Sequence, residues 1–167
     1  MVIEIIEYRR AREGLTLPGI VAHITCAILL WNRGKGPGTQ NDCQLSINHL
    51  LRTYHHLKLK KGLYGQVRAT RDGRAAHTAG SGYHLEHAIP IACVMWALFN
   101  HVTQRDFDQA YEQVQKVIDD TMYVAYVTHE EHTKLNRRFA SSMPPGSDYP
   151  WPDPWIRYKL AGVEPPS

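Results

Sequence analysis

The sequence predicts a helix-rich α+β domain in which a small two-stranded unit closes against a helix. Three observations carry that expectation. Apolar runs bounded by helix start and stop signals fill residues 19–31, 43–57 and 91–102. Residues 121–128 (TMYVAYVT) form the segment richest in β-branched and aromatic residues. That strand leads straight into HEEHTKLNRRFA, with Thr128 and Glu131 at capping-box spacing. A chain of 167 residues has the size of one domain. The expected layout is a single α+β domain over residues 1–142, followed by a Pro/Trp-rich extension, 143–167, packed on its body.

The elements follow in order. Residues 2–7 (VIEIIE) read as a short strand or the start of a helix. Thr16 precedes Leu17 and Pro18 as a cap before a first-turn proline, and GIVAHITCAILLW then reads as a largely buried helix stopped at Asn32-Arg33-Gly34. Residues 34–41 (GKGPGTQN) read as a glycine-rich loop, without the spacing of a phosphate-binding loop. Asp42 is the expected cap of a second helix, broken at Lys60-Lys61-Gly62. Residues 63–70 alternate like a half-exposed strand, residues 71–74 (RDGR) carry turn chemistry, and 75–82 read as a loop. An apolar helix over 91–102 follows HLEHAIP, and residues 103–106 cap a further helix to about Ile118. The tail holds seven of the ten prolines and two tryptophans, and closes on DPWIRYKLAG as a turn or short helix.

Composition narrows the function classes. Hydrophobic residues make up 43% and charged residues 21%, which excludes a collagen, a coiled-coil rod or a disordered acidic chain. The longest apolar stretch, residues 20–31, is interrupted by His23 and Thr25 and is too short for a bilayer. No secretory signal is visible, and Cys26, Cys43 and Cys93 are odd in number without any CxxC, so the expectation is reduced thiols, a cytoplasmic location and no membrane partner.

The net charge of +3 is unevenly spread. Residues 51–74 carry Arg52, Lys58, Lys60, Lys61, Arg68, Arg71 and Arg74 against Asp72 alone, whereas residues 75–167 carry seven basic and eleven acidic groups. A basic segment of this kind is an electrostatic footprint for a polyanion, or equally a solvated face.

Ten histidines are the unusual feature of the composition. His23, inside an apolar helix, reads as a core or interface residue. His55 and His56 extend the basic face, and His49 and His101 lack companions at ligand spacing. His77 and His84 stand near the first cluster as donors to it. Two clusters remain, HLEHAIP (84–90) and THEEHTKLN (128–136). In the second, His129, His132 and Asn136 crowd one side of a helix. Imidazole and carboxylate groups together suit a divalent cation such as Mg²⁺, Mn²⁺ or Zn²⁺.

GYHLEHAIP resembles the opening motif of the HNH (His-Me finger) endonucleases, and YVAYVTHEEHTKLN resembles their closing strand and helix. The resemblance covers about residues 82–138. It implies a small ββα-metal-like unit, here carrying a helical insertion over 91–119. It implies that Glu86 and His132 are metal ligands, that Asn136 is a ligand or an orienting group, and that His87 is the general base that deprotonates the attacking water. The implied activity is divalent-metal-dependent hydrolysis of phosphodiester bonds, with Mg²⁺ or Mn²⁺ ahead of Zn²⁺ and DNA ahead of RNA. Lys58, Lys60, Lys61, Arg68, Arg71 and Arg74 would then meet phosphates without reading sequence. Arg137 and Arg138 would hold the backbone near the metal, or complement their helix dipole. The alternative expectation is a non-catalytic nucleic-acid-binding or regulatory protein, phage- or mobile-element-encoded, that uses the basic segment alone. The apolar first helix and the Trp/Pro tail are candidates for an oligomer interface, a homodimer in particular.

Overall fold

The computed structural model describes residues 15–34, 37–64 and 67–167. The expectation for residues 2–7 lies outside them. Among the described residues the chain forms seven helices and one three-stranded sheet, an α+β arrangement. No helix among the described residues is long and apolar enough to cross a membrane.

Helix α1 (Leu17–Asn32) begins where Thr16 accepts a hydrogen bond from the Gly19 amide at 3.1 Å, with the proline in the first turn. Ile20, Val21, Ile24, Ala27 and Ile28 fall on its buried face. His23 is exposed, so of the two expectations for it, core or interface, the core is not realised. Helix α2 (Pro37–Lys60) starts six residues earlier than expected. Pro37 fixes φ for the first helical position, so the supposed glycine-rich loop is largely the first turn of α2. Asp42 lies within the helix rather than capping it. Cys43, Ile47, Leu51 and Tyr54 are its buried stripe.

Of the strand expected over 63–70, the described residues form β1 (Arg68–Ala69). Residues 71–74 are likewise no turn. Thr70 accepts from the Gly73 amide at 2.9 Å and caps α3 (Arg71–Thr78), which also takes up part of the expected 75–82 loop. Here the Asp-Gly pair sits in a helical first turn. A Cβ at position 73 would lie 2.2 Å from the Tyr126 carbonyl oxygen, so glycine is what lets α3 approach the sheet.

Strand β2 (Tyr83–His87) is followed by α4 (Ile91–His101) and α5 (Phe107–Thr121), the latter capped by Asp106. Strand β3 (Val124–Thr128) then enters α6 (His129–Phe139) through the expected capping box. A last helix, α7 (Ile156–Ala161), ends at Gly162 in the left-handed region.

The sheet order is β1-β3-β2, with β1 parallel and β2 antiparallel to β3, so the two-stranded unit gains a third strand. Two cores result. One fills the bundle of α1, α2, α4 and α5 and takes Ile89 and Trp151 as additions. The other, smaller, is made of Ala88, Ala125, Val127, Leu135, Trp155, Tyr158 and Val163. The C-terminal segment therefore places one tryptophan in each core.

Candidate metal centre

Strand alternation decides which side chains meet. Glu86 pairs with Ala125 and His84 with Val127, so these four residues share the sheet face that carries the smaller core. Leu85 and His87 point to the opposite face, together with Tyr126 and Val124. Helix α6 lies over the first face. It presents His132 one turn after the capping box that fixes its start.

Glu86 is the hub of this face, with only 9% of its surface exposed. One carboxylate oxygen, Oε2, lies 2.6 Å from His132 Nδ1. The other, Oε1, accepts from Nη2 of Arg157, a side chain of α7 with no exposed surface. Arg157 Nη1 also donates to the Phe139 carbonyl at 3.1 Å, which ties α7 to the end of α6. A buried carboxylate held by a buried guanidinium is expected on electrostatic grounds, because either charge alone would be strongly destabilising there.

His84 completes the cluster. Its ring lies 3.9 Å from that of His132, centroid to centroid. One ligand atom each from His84, Glu86 and His132 fall within 4.8 Å of one another, making this the group among the described residues able to hold a metal ion. Burial, and then the neighbouring His132, hold the His84 imidazole below its ordinary pKa. The Asn136 amide nitrogen is 2.8 Å from His132 Nε2 and 3.4 Å from Nδ1. An atom placed on the Nε2 lone pair would be far more distant from Nδ1, so this amide packs over the ring face. Its position is that of an orienting group rather than of a ligand sharing the Nε2 direction.

The donor set suits a cation. Two imidazoles and a carboxylate converge from a strand and a helix, and neutral imidazole is the common ligand of transition ions. Glu86 and His132 thus come together as the sequence suggested. His84, considered only as a nearby donor, belongs with them; its signal was the i, i+2 spacing from Glu86 on a strand.

His87 is placed elsewhere. Its ring meets that of His55 at 4.4 Å on the opposite sheet face, and His55 Nδ1 is 2.9 Å from the Tyr64 hydroxyl. Burial, followed by the positive neighbours His55, Arg52 and Arg157, lowers the His87 pKa to about 3. Burial and then His56 lower that of His55 to about 4. His87 Nε2 is buried without a hydrogen-bond partner among the described residues, as are Arg157 Nε and the Tyr158 hydroxyl. His55, read from sequence as part of the basic face, is instead the half-buried neighbour of His87.

The basic residues spread over four elements. Lys58 and Lys60 occupy the last turn of α2 and Lys61 follows it, with Lys58 lying 4.9 Å from the centre of the Tyr64 ring. Arg68 is on β1, near the Trp155 ring, and Arg71 is exposed on α3. Arg74 donates to the Ser167 carbonyl at 2.9 Å, and Arg138 to the Leu160 carbonyl at 2.5 Å. Arg137 is exposed on the last turn of α6. Two of the proposed phosphate contacts therefore already anchor the C-terminal segment.

Arg157 is the residue that sequence reasoning missed. It lies outside the motif-bearing region, and a charged residue between Ile156 and Tyr158 gave only the faint signal of an arginine in an apolar setting. No protein-family model, no curated protein and no solved structure matches this chain.

Proposed function

We propose that the chain is a divalent-metal-dependent nuclease acting on DNA, with its cation site at His84, Glu86 and His132. The observation that carries this reading is the convergence of these three side chains on a β2-β3-α6 unit. A bound divalent ion would supply charge stabilisation at the scissile phosphate and its leaving oxygen. The side chains of this protein would hold and orient that ion, and exposed Lys60, Lys61, Arg71 and Arg137 would attract the phosphate backbone. His87, the general base that the motif implies, faces the other side of the sheet against His55 and is not placed to take a proton from water on that ion.

A plasmid-nicking assay with Mg²⁺, Mn²⁺ or Zn²⁺ tests the proposal. Cleavage should require the ion and disappear in His132→Ala. Failure to cut any single- or double-stranded DNA or RNA, or full activity in His132→Ala, would overturn it. One observation favours a second reading, a non-catalytic nucleic-acid-binding protein: Glu86, His132 and Arg157 already satisfy one another without an ion. That reading predicts salt-sensitive DNA binding that survives substitution of Glu86 and His132.

A further inference from the structure

The cation-site reading leaves open how Glu86 serves it, and the distances around Glu86 discriminate. Two ligands 2.0–2.2 Å from a tetrahedral ion sit roughly 3.3–3.6 Å apart. Glu86 Oε2 and His132 Nδ1 are 2.6 Å apart, a hydrogen-bond separation. The other oxygen is committed to Arg157, whose charge already compensates the carboxylate. A cation on Oε2 would displace the Nδ1 proton and share one buried carboxylate with a guanidinium. Leaving the hydrogen bond intact avoids both consequences. It also fixes the tautomer of a neutral His132, because a proton on Nδ1 leaves the Nε2 lone pair open.

We propose that Glu86 is not a metal ligand but the carboxylate that aims His132. Arg157 is the positioning residue that holds Glu86, and the cation is bound by His132 Nε2 together with the His84 imidazole. The inference rests on the cation-site reading above and assigns its parts. Asn136, packed over the His132 ring, limits rotation of that ring in the same arrangement. The class of ion follows. A site with two imidazoles bound directly, and its carboxylate outside, favours Zn²⁺ over Mg²⁺, which demands oxygen ligands. The C-terminal helix α7 is thereby part of the site, although it lies well beyond the motif-bearing residues.

The test is Zn²⁺ and Mg²⁺ titration of the full chain by calorimetry, with X-ray absorption at the zinc edge on the wild-type protein. Expected is saturable Zn²⁺ binding with at least two imidazole nitrogens at about 2.0–2.1 Å and Mg²⁺ at least tenfold weaker. His132→Ala should abolish saturable binding, whereas Glu86→Gln and Arg157→Lys should weaken it about 10–100-fold. In metal-free protein, long-range ¹H–¹⁵N spectra should show the singly protonated form of the His132 ring carrying its proton at Nδ1, a signature a purely structural arginine would not set. Loss of that tautomer preference in Arg157→Lys would support the positioning role, and its persistence together with wild-type affinity would overturn it. A carboxylate oxygen in the zinc shell, abolition of binding by Glu86→Gln, or equal affinity for Mg²⁺ would also overturn the assignment. Spectroscopy on the wild type needs no variant to fold. Intact Zn²⁺ binding without phosphodiester cleavage would remove the nuclease proposal alone, whereas no saturable ion in the wild type would remove this inference.

Discussion

In the bundle of α1, α2, α4 and α5 the fully enclosed side chains include Ile20, Val21, Ile24, Ile28, Ile47, Leu51, Leu98 and Ile118, and Trp31 stacks on Phe99 at 4.1 Å to join two of the helices. The smaller core around β3, α6 and α7 encloses Leu135 and Tyr158 alongside an arginine and a carboxylate. The first interior is held by transfer of apolar surface, which is non-directional and tolerant of small shifts. The second depends on polar groups finding particular partners, and a charge left there without one is costly. The division separates a large apolar body from a small polar unit built on it that holds the candidate site.

The strongest way to break that contrast is to unpair the polar unit. Arg157→Met should destabilise the protein by about 3–5 kcal/mol, because it leaves the Glu86 carboxylate buried without its cation. Urea unfolding measures this, and the double variant Glu86→Leu with Arg157→Met should recover most of the loss. A double variant as unstable as the single one would show that the pair contributes by packing rather than by compensating charge. In the bundle, Ile24→Ala should cost about 2–5 kcal/mol through lost burial and a residual cavity. There the distinguishing readout is the rise in melting temperature on adding Zn²⁺, which should persist, because no bundle side chain belongs to the site.

Acidification sharpens the comparison further. His87 has a folded-state pKa of about 3 against 6.5 for the unfolded chain, and His55 is shifted in the same direction. The unfolded state therefore takes up the proton first as pH falls. Stability should be fully present above about pH 6.5 and should decline below it, down toward the folded-state values. His87 alone should contribute a loss of about 1.4 kcal/mol by pH 5.5. The groups whose charge acts on these two rings are His56, Arg52, Arg157 and His84, each of which opposes a further positive charge. Urea unfolding of chelated protein at pH 7.5 and 5.5 checks the decline, and His87→Phe should flatten it. An unchanged slope in that variant would remove His87 as its source.

Much of the fold was legible because its signals are local. Thr16, Asp106 and Thr128 cap helices where a side-chain oxygen precedes an apolar run, and residues 121–128 read as strand from their own composition, of which 124–128 form one. Local signals misled where two structures share them. The Asp-Gly pair at 72–73 suits a hairpin turn, and only the approach of α3 to the Tyr126 carbonyl selects helix. Gly38 made the start of α2 look like a loop, although Pro37 is a good first helical residue. Of the candidate site, Glu86 and His132 could be named from their motifs. Arg157 could not, since its partner lies 71 residues away and charge pairing across such a distance leaves no periodic trace. His87 was paired with Glu86 by adjacency in sequence, whereas a strand sends neighbours to opposite faces.

The smallest expected effect probes how the site is joined to its sheet. Thr128 ends β3 and caps α6, and Glu131 Oε2 accepts from both the Thr128 amide and the Thr70 hydroxyl, each at 2.8 Å. One capping box thus fixes the start of α6 and links it to the strand that leads into α3. Thr128→Ala should cost about 1 kcal/mol, the usual loss for an N-cap, while Thr128→Ser should be nearly neutral. The loss should be local. Amide exchange should accelerate in the first turn of α6, around Glu130 and Glu131, with the bundle amides unchanged. Because His132 sits at the end of that turn, the alanine variant should also bind Zn²⁺ more weakly, through fraying and not through a lost ligand. An exchange increase spread evenly over the bundle would instead mean that the two cores unfold as one unit, and the separation of body from site would not hold.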